Sequence, residues 1–271
     1  MNVFLDGVKR CLKAFPPIKW FLMRSYDRYF ESANDASVNL FRGVFPTYQD
    51  AAAHLPNTKP ASYDNSASAS MYLERTRTVY STDYPVLYWM SVILEPGFRV
   101  FDFGGHIGVS YYSYRRYLSV HDQLRWTVCD LPAVVESGRK LAESRNVHQL
   151  DFTTDFQAAA GCDLMLCNGS LQYLQESLGS KLKQLAARPR HLVINMLPVH
   201  ADKDFYTVQN ISTAYCAYHI FSAEAFLNDI QSAGYRVKDS WRNTGKHCAI
   251  PFHGDCSVED YSGYYFELMD S

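Results

Sequence analysis

The chain has 271 residues, with 26 Lys or Arg against 28 Asp or Glu and a formal net charge of −2 at pH 7. That balance gives no broad basic field for a nucleic-acid backbone or an anionic membrane. Apolar residues make up 47%, enough to bury a sizeable core in one α/β domain with or without an appendage. The seven cysteines form no C-x-x-C pair and no His/Cys cluster of zinc spacing, which fits free thiols in a reducing, cytoplasmic compartment. The N-terminal stretch is interrupted by Asp6, Lys9, Arg10 and Lys13, so it does not read as a signal peptide. No run approaches the ~18 apolar residues of a membrane span.

Residues 1–55 read as helical and aromatic-rich, broken at Pro16-Pro17, Pro46 and Pro56. Lys9, Arg10, Lys13, Lys19, Arg24 and Arg28 lie among Phe4, Leu5, Trp20, Phe21 and Leu22. Such a segment is either an amphipathic surface-binding helix or a cap packed on its own domain, and the second reading is favoured. A polar stretch over 57–70 reads as an exposed loop, followed by a helix from about Met71 to Leu94. Residues 1–98 are therefore expected to form a helical cap, and 99–271 a second, α/β domain.

From Arg99 the pattern alternates. Strands are expected at 99–103, 125–130, 148–152, 162–168 and 191–197, the last being the most β-branched, as a strand buried on both faces should be. A helix follows 125–130, and residues 222–234 read as another, with a serine cap and a closing glycine. Strands at 235–241 and 264–269 end the series, the final hairpin-like pair placing an antiparallel strand at the sheet edge. Alternation at this spacing implies a doubly wound, mostly parallel sheet.

The chemistry is concentrated in Val100-Phe-Asp-Phe-Gly-Gly-His-Ile-Gly108. In open α/β sheets ligands sit beyond the carboxyl ends of the strands, and glycines there let backbone approach the ligand. The order Asp-x-Gly-x-x-x-Gly is not the Gly-x-Gly-x-x-Gly of a dinucleotide site, so a nicotinamide dehydrogenase is the weakest rival. The next strand ends at Asp130, followed by Leu131 and Pro132. A carboxylate there can accept both ribose hydroxyls of an adenosine ligand, although Asp130 alone could also cap the following helix.

On these residues the chain resembles class I S-adenosylmethionine-dependent methyltransferases over about residues 99–241. The resemblance implies a Rossmann-like seven-stranded sheet with S-adenosylmethionine as cofactor or substrate and no metal. It places Asp102 near the methionine ammonium group, Gly104, Gly105, His106 and Gly108 along the cofactor, Asp130 and Leu131 at the ribose, and Asp151 and Phe152 by the adenine. His106 departs from the glycine usual in the middle of that loop. Asn168-Gly-Ser-Leu-Gln-Tyr173, Phe41–Ala51 and Thr207-Val-Gln-Asn210 are similar to marks of a family of small bacterial methyltransferases. Within it, the chain is also similar to enzymes that cyclise S-adenosylmethionine to azetidine-2-carboxylate.

Asn168, Gly169 and Ser170 are expected to flank the methionine half of the ligand. Gln172, Tyr173 and His200 are the catalytic candidates, with His219 a second histidine placed to overlook the pocket. Tyr173 can face a sulfonium through its ring or can simply pack the helix start. His247, Cys248, His253 and Cys256 are spaced too irregularly for a metal site. Methyl transfer to a small metabolite and cyclisation stand nearly level, and a non-catalytic binding module is the third reading. The expected partner is a small-molecule substrate, with no nucleic acid and no membrane; a homodimer is left open.

Overall fold

The computed structural model describes residues 16–35, 39–65 and 72–269. The basic residues Lys9, Arg10 and Lys13, with Phe4 and Leu5, lie outside the described residues, as does Met71. In chain order the elements open with α1 (Pro16–Ser32), β1 (Leu40–Phe45), α2 (Tyr48–Ala53) and α3 (Tyr84–Ile93). They continue with β2 (Arg99–Phe103), α4 (Val109–Tyr114), β3 (Arg125–Cys129), α5 (Pro132–Ser144), β4 (Leu150–Thr153) and β5 (Leu164–Asn168). Then come α6 (Leu178–Lys183), β6 (His191–Leu197), β7 (Val199–His200), β8 (Phe205–Asn210) and β9 (Tyr215–Ser222). The last are α7 (Ala223–Ser232), β10 (Tyr235–Asn243) and β11 (Tyr261–Leu268).

Seven strands form one sheet in the order β10-β11-β6-β5-β2-β3-β4, with β4, β3, β2, β5 and β6 paired in parallel. Alternate side chains of each central strand go to opposite faces. Leu164 and Leu166 pack with Val193, Trp126 and the α3 residues Val86, Leu87 and Met90. Met165 and Cys167 pack with Ile194, Leu182 of α6 and Phe226 and Ile230 of α7. Both faces are covered by helices, as the doubly wound reading requires. The strand order reverses between β2 and β5, which sets the ligand crevice above those two strand ends.

Four expectations need correction. The helix read over 71–94 is confined to Tyr84–Ile93, because Pro85 fits only a first helical turn, and short 3₁₀ turns occupy Glu74–Arg77 and Ser81–Asp83. The antiparallel strand is not at the edge: β11 lies between β6 and β10 and runs against both. The strand read as ending at Phe152 continues to Thr153. The region read as a helical cap contains strand β1, which pairs with β8 in a second sheet of order β1-β8-β9-β7.

That second sheet joins segments far apart in sequence. Leu40, Phe41 and Arg42 pair with Asn210, Gln209 and Val208, so the segments 41–51 and 207–210, singled out separately from sequence, meet in one ladder. It has its own core of Phe41, Phe205, Tyr218, Ile220, Cys248 and Tyr261.

Candidate functional site

The site is built at the carboxyl ends of β2, β3 and β5. Strand β2 buries Asp102 completely; Trp126 Nε1 donates to its Oδ2 at 3.2 Å, while Oδ1 has no hydrogen-bond partner among the described residues. Burial pushes this carboxyl up to about 7, the Trp126 hydrogen bond opposing and the Asp130 charge adding. A buried carboxylate short of a partner is costly, and a cationic group set against it relieves that cost.

The turn above it needs its glycines. Gly104 has φ +71, and a Cβ there would stand 2.2 Å from Ser170 Cβ. A Cβ on Gly105 would stand 2.4 Å from the Asp102 carboxyl carbon, so this residue lies directly on the acid. Gly108 (φ +88) opens α4. His106 takes the left-handed conformation too, at φ +56, so the loop keeps a glycine-like path at the cost of strain in a non-glycine residue. Ser170 Oγ donates to the Phe103 carbonyl at 2.6 Å, tying the β5 loop to the β2 loop.

At the end of β3, Asp130 accepts from the His106 N–H (2.9 Å, Oδ2) and from the Leu131 N–H (2.7 Å, Oδ1). Each oxygen keeps lone-pair capacity for a hydroxyl. Burial raises this carboxyl to about 6 against those two bonds, with the nearby Asp64 adding to the rise. The helix-cap alternative for Asp130 is overturned: Ala133 N–H at the start of α5 donates to Asp64 Oδ1 (2.8 Å), so the cap comes from a residue far back in the chain.

Asn168, at the end of β5, lies in a polar network. Its Nδ2 donates to Asp83 Oδ1 (3.3 Å) and Tyr114 Oη (3.2 Å), and its Oδ1 accepts from Asn195 Nδ2 (3.1 Å). Asn195, buried on β6, accepts from Trp241 Nε1 (2.9 Å) and Asn243 Nδ2 (2.8 Å). Tyr114 donates to Asp83 Oδ1 (2.9 Å), and its own hydroxyl is held far above its usual range by burial and by that carboxylate. Gly169, at φ +77, turns the chain into the next segment.

Beyond it stands a wall of tyrosines. Tyr173 donates to Gln209 Oε1 (2.9 Å) and shares a 3.2 Å contact with the Tyr63 hydroxyl. Its ring packs edge-on against Tyr63 and Tyr218, centroids 5.1 and 5.3 Å away, and Tyr218 and Tyr261 join hydroxyls at 2.8 Å. Burial raises Tyr63, Tyr173 and Tyr218 well above ordinary phenols, so all three are neutral donors or acceptors. The Tyr72 ring lies 4.5 Å from His106. Tyr63, Asp64 and Tyr72 thus touch the loops after β5, β3 and β2 in turn. Gln172 donates to the Gly169 carbonyl (2.7 Å), and its Oε1 is buried without a partner among the described residues.

Other expected residues fall elsewhere. Asp151 is exposed in mid-strand, level with Thr127, and Phe152 is buried beside Gly138; both lie below the rim, where Thr153 is the last strand residue. The alternation of the strand sends Phe152 into the core, and the adenine placement for this pair finds no support. His200 Nδ1 accepts from the Asp202 and Lys203 N–H groups, leaving Nε2 to donate to the Asp255 carbonyl (3.1 Å). His219 pairs with Asp204 (2.8 Å) and stacks on Tyr206. No described contact joins either histidine to the glycine turn, Asp130 or Asn168. Cys248 and Cys256 are buried in the second sheet's core, and no group of three metal-ligating side chains is arranged for an ion among the described residues.

Tyr63, Asp64, Tyr72, Asp83, Tyr114 and Asn195 were not singled out from sequence, and Gln209 stood in the Thr207–Asn210 motif with no role assigned to it. Asn195 carried one faint signal, a lone amide inside an otherwise apolar strand.

No protein-family model matches the chain, and no curated protein matches it. Among solved structures, it is similar to the 1,6-didemethyltoxoflavin-N1-methyltransferase of Burkholderia thailandensis, with 17% identity over 70% of this chain and 79% of that one, TM-score 0.47. It is similar to the mitomycin 7-O-methyltransferase MmcR, with 13% identity over 82% of this chain and 61% of that one, TM-score 0.47. It is similar to the [4+2]-cyclase SpnF, with 14% identity over 69% of this chain and 80% of that one, TM-score 0.47. At such scores the fold rests on the chain's own strand order and the site on its own residues.

Proposed function

We propose that the chain is an S-adenosylmethionine-dependent enzyme that catalyses substitution at a carbon bonded to the sulfonium, with methyl transfer to a small metabolite as the leading reaction. One observation carries the reading. Two carboxyls, Asp102 and Asp130, close adjacent strand ends around a turn whose glycines cannot be replaced without collision. The unpartnered Asp102 oxygen suits an ammonium, the Asp130 pair suits two ribose hydroxyls, and the turn leaves backbone bare between them.

When bound, S-adenosylmethionine supplies a sulfonium-activated carbon open to displacement. The residues present then have separate tasks. Asp102 and Asp130 bind, Gly104 and Gly105 let the backbone come close, and Tyr173 with Tyr63 forms a neutral, water-poor wall. Ring faces attract a cation without neutralising it, and orientation supplies much of the acceleration.

A second reading is cyclisation of the ligand to azetidine-2-carboxylate with release of methylthioadenosine. It is favoured by Tyr63, Asp64 and Tyr72, which tie down all three rim loops and suit an enclosed ligand reacting with itself. Purified protein incubated with S-adenosylmethionine alone, followed by mass spectrometry, separates the two. Methylthioadenosine and an azetidine-carboxylate mass above spontaneous background would establish cyclisation. Unchanged ligand would leave methyl transfer, tested next with small acceptors by the appearance of S-adenosylhomocysteine. No binding of S-adenosylmethionine would overturn both.

A further inference from the structure

The tyrosine wall is neutral, but two cations stand against it. Lys246 follows the end of β10, where Asn243 is tied through Asn195 to Asn168 at the end of β5. The Lys246 N–H donates to the Asn243 carbonyl (3.3 Å), and its carbonyl accepts from the Tyr261 N–H (3.1 Å), so its backbone is fixed beside the site. Its ammonium lies 5.8 Å from the centroid of the Tyr261 ring, the ring whose hydroxyl meets Tyr218. Arg75 comes from the turn on the other flank. Its guanidinium carbon lies 4.9 Å from the centroid of Tyr72, which packs on His106, and 5.3 Å from that of Tyr80.

Neither cation has a hydrogen-bond acceptor or a carboxylate for its side chain among the described residues. The acids nearest in sequence are engaged elsewhere or exposed. Asp260 pairs with Arg242 at 3.9 Å, and Asp83 is taken up by the Tyr80 N–H, Tyr114 and Asn168. Glu74 and Glu259 are exposed and form no ion pair among the described residues. Burial, and then the Arg75 charge, hold the half-buried Lys246 amine below its usual range, and no acid opposes them. Two mutually repelling cations without a counter-ion are relieved by an anion set against both. Because each lies over a ring, such a ligand meets them with its charged end and lays an apolar body along the tyrosines.

We infer that Lys246 and Arg75 form a clasp for a carboxylate at the tyrosine wall. The clasp rests on the S-adenosylmethionine reading only for its source, the carboxylate of the small acceptor or the methionine carboxylate of the ligand itself. The acceptor's is expected, since the methionine end already has the bare backbone of the glycine turn beside Asp102.

Benzoate and benzyl alcohol, which share a ring and differ in charge, are titrated into the full chain by calorimetry, with and without S-adenosylmethionine. Benzoate binds at least ~10-fold tighter, and Lys246→Met or Arg75→Met each removes that preference while leaving the melting temperature unchanged. S-Adenosylmethionine and its decarboxylated form identify the source. With the acceptor as source, Lys246→Met leaves the affinity for both within about 3-fold. If instead it weakens S-adenosylmethionine by about 10-fold and spares the decarboxylated form, the clasp takes the methionine carboxylate and the acceptor assignment falls. Equal binding of benzoate and benzyl alcohol, or a preference that survives both substitutions, overturns the clasp. A preference found in a chain that binds no S-adenosylmethionine overturns the functional reading and leaves the clasp standing.

Discussion

The two sheets offer different materials to the crevice. The rim of the seven-stranded sheet supplies carboxyls held away from their ordinary range by burial, Asp102 and Asp130. The four-stranded sheet and the segment before α3 back a neutral wall: Tyr173, in the loop after β5, is braced on Gln209 and on Tyr63, and Tyr218 joins Tyr261 of β11. The first set is matched to charge and hydroxyls; the second shapes and dries the space beside them. Binding should therefore depend on the rim, and turnover on the wall.

The largest effect expected is on the rim. Asp130→Ala should weaken S-adenosylmethionine binding at least 100-fold by calorimetry, since two charge-assisted hydrogen bonds contribute about 1.5–3 kcal/mol each. Its fold should survive because Asp64, not Asp130, caps α5. A change below about 5-fold would break the assignment of binding to the rim.

The second effect is one of pH. Both carboxyls sit above the 3.8 of an ordinary aspartate, at about 7 and about 6, so between pH 4 and 7 the folded chain holds protons the unfolded chain has lost. Stability without ligand therefore falls as pH rises through 6 and 7, and thermal melts should show a higher midpoint at pH 5 than at pH 7.5. A cationic ligand needs the ionised forms, so its affinity runs the other way and drops by roughly 10-fold or more from pH 8 to 5.5. Asp102→Asn should flatten the upper part of both curves.

A smaller effect is expected on the wall. Tyr173→Phe leaves Gln209 and the Tyr63 hydroxyl each short of a partner, which should cost about 1–2 kcal/mol in chemical denaturation. Turnover should fall while ligand affinity moves less than about 3-fold. A large loss of affinity would merge the two regions into one. The smallest effect belongs to His200→Ala: with both ring nitrogens engaged at 202–203 and 255, turnover should stay within about 2-fold.

The rim was the legible half. An apolar run ending in Asp-x-Gly-Gly at 99–105 and a β-branched run at 191–197 announce central strands by local pattern alone, and both lie where expected. The wall was hidden because its pairings are long-range. Phe41 and Gln209 become neighbours only through the β1–β8 ladder, and buried Thr207, Gln209 and Asn210 blur the alternation that would mark β8. Pro85 could have shortened the helix read from 71. Nothing in the sequence near Asp64 announces that it caps a helix starting at Pro132.

The β1–β8 ladder also sets an order of events. Arg42 and Thr207 meet across 165 residues, and closing so long a loop in an unstructured chain costs about 4–5 kcal/mol of entropy. That cost shrinks once β2 to β6 have assembled and drawn the two ends together, so the small sheet should form after the large one. During refolding the crevice would then exist first as an open ledge, able to hold the adenosine half of a ligand before anything encloses the methionine half.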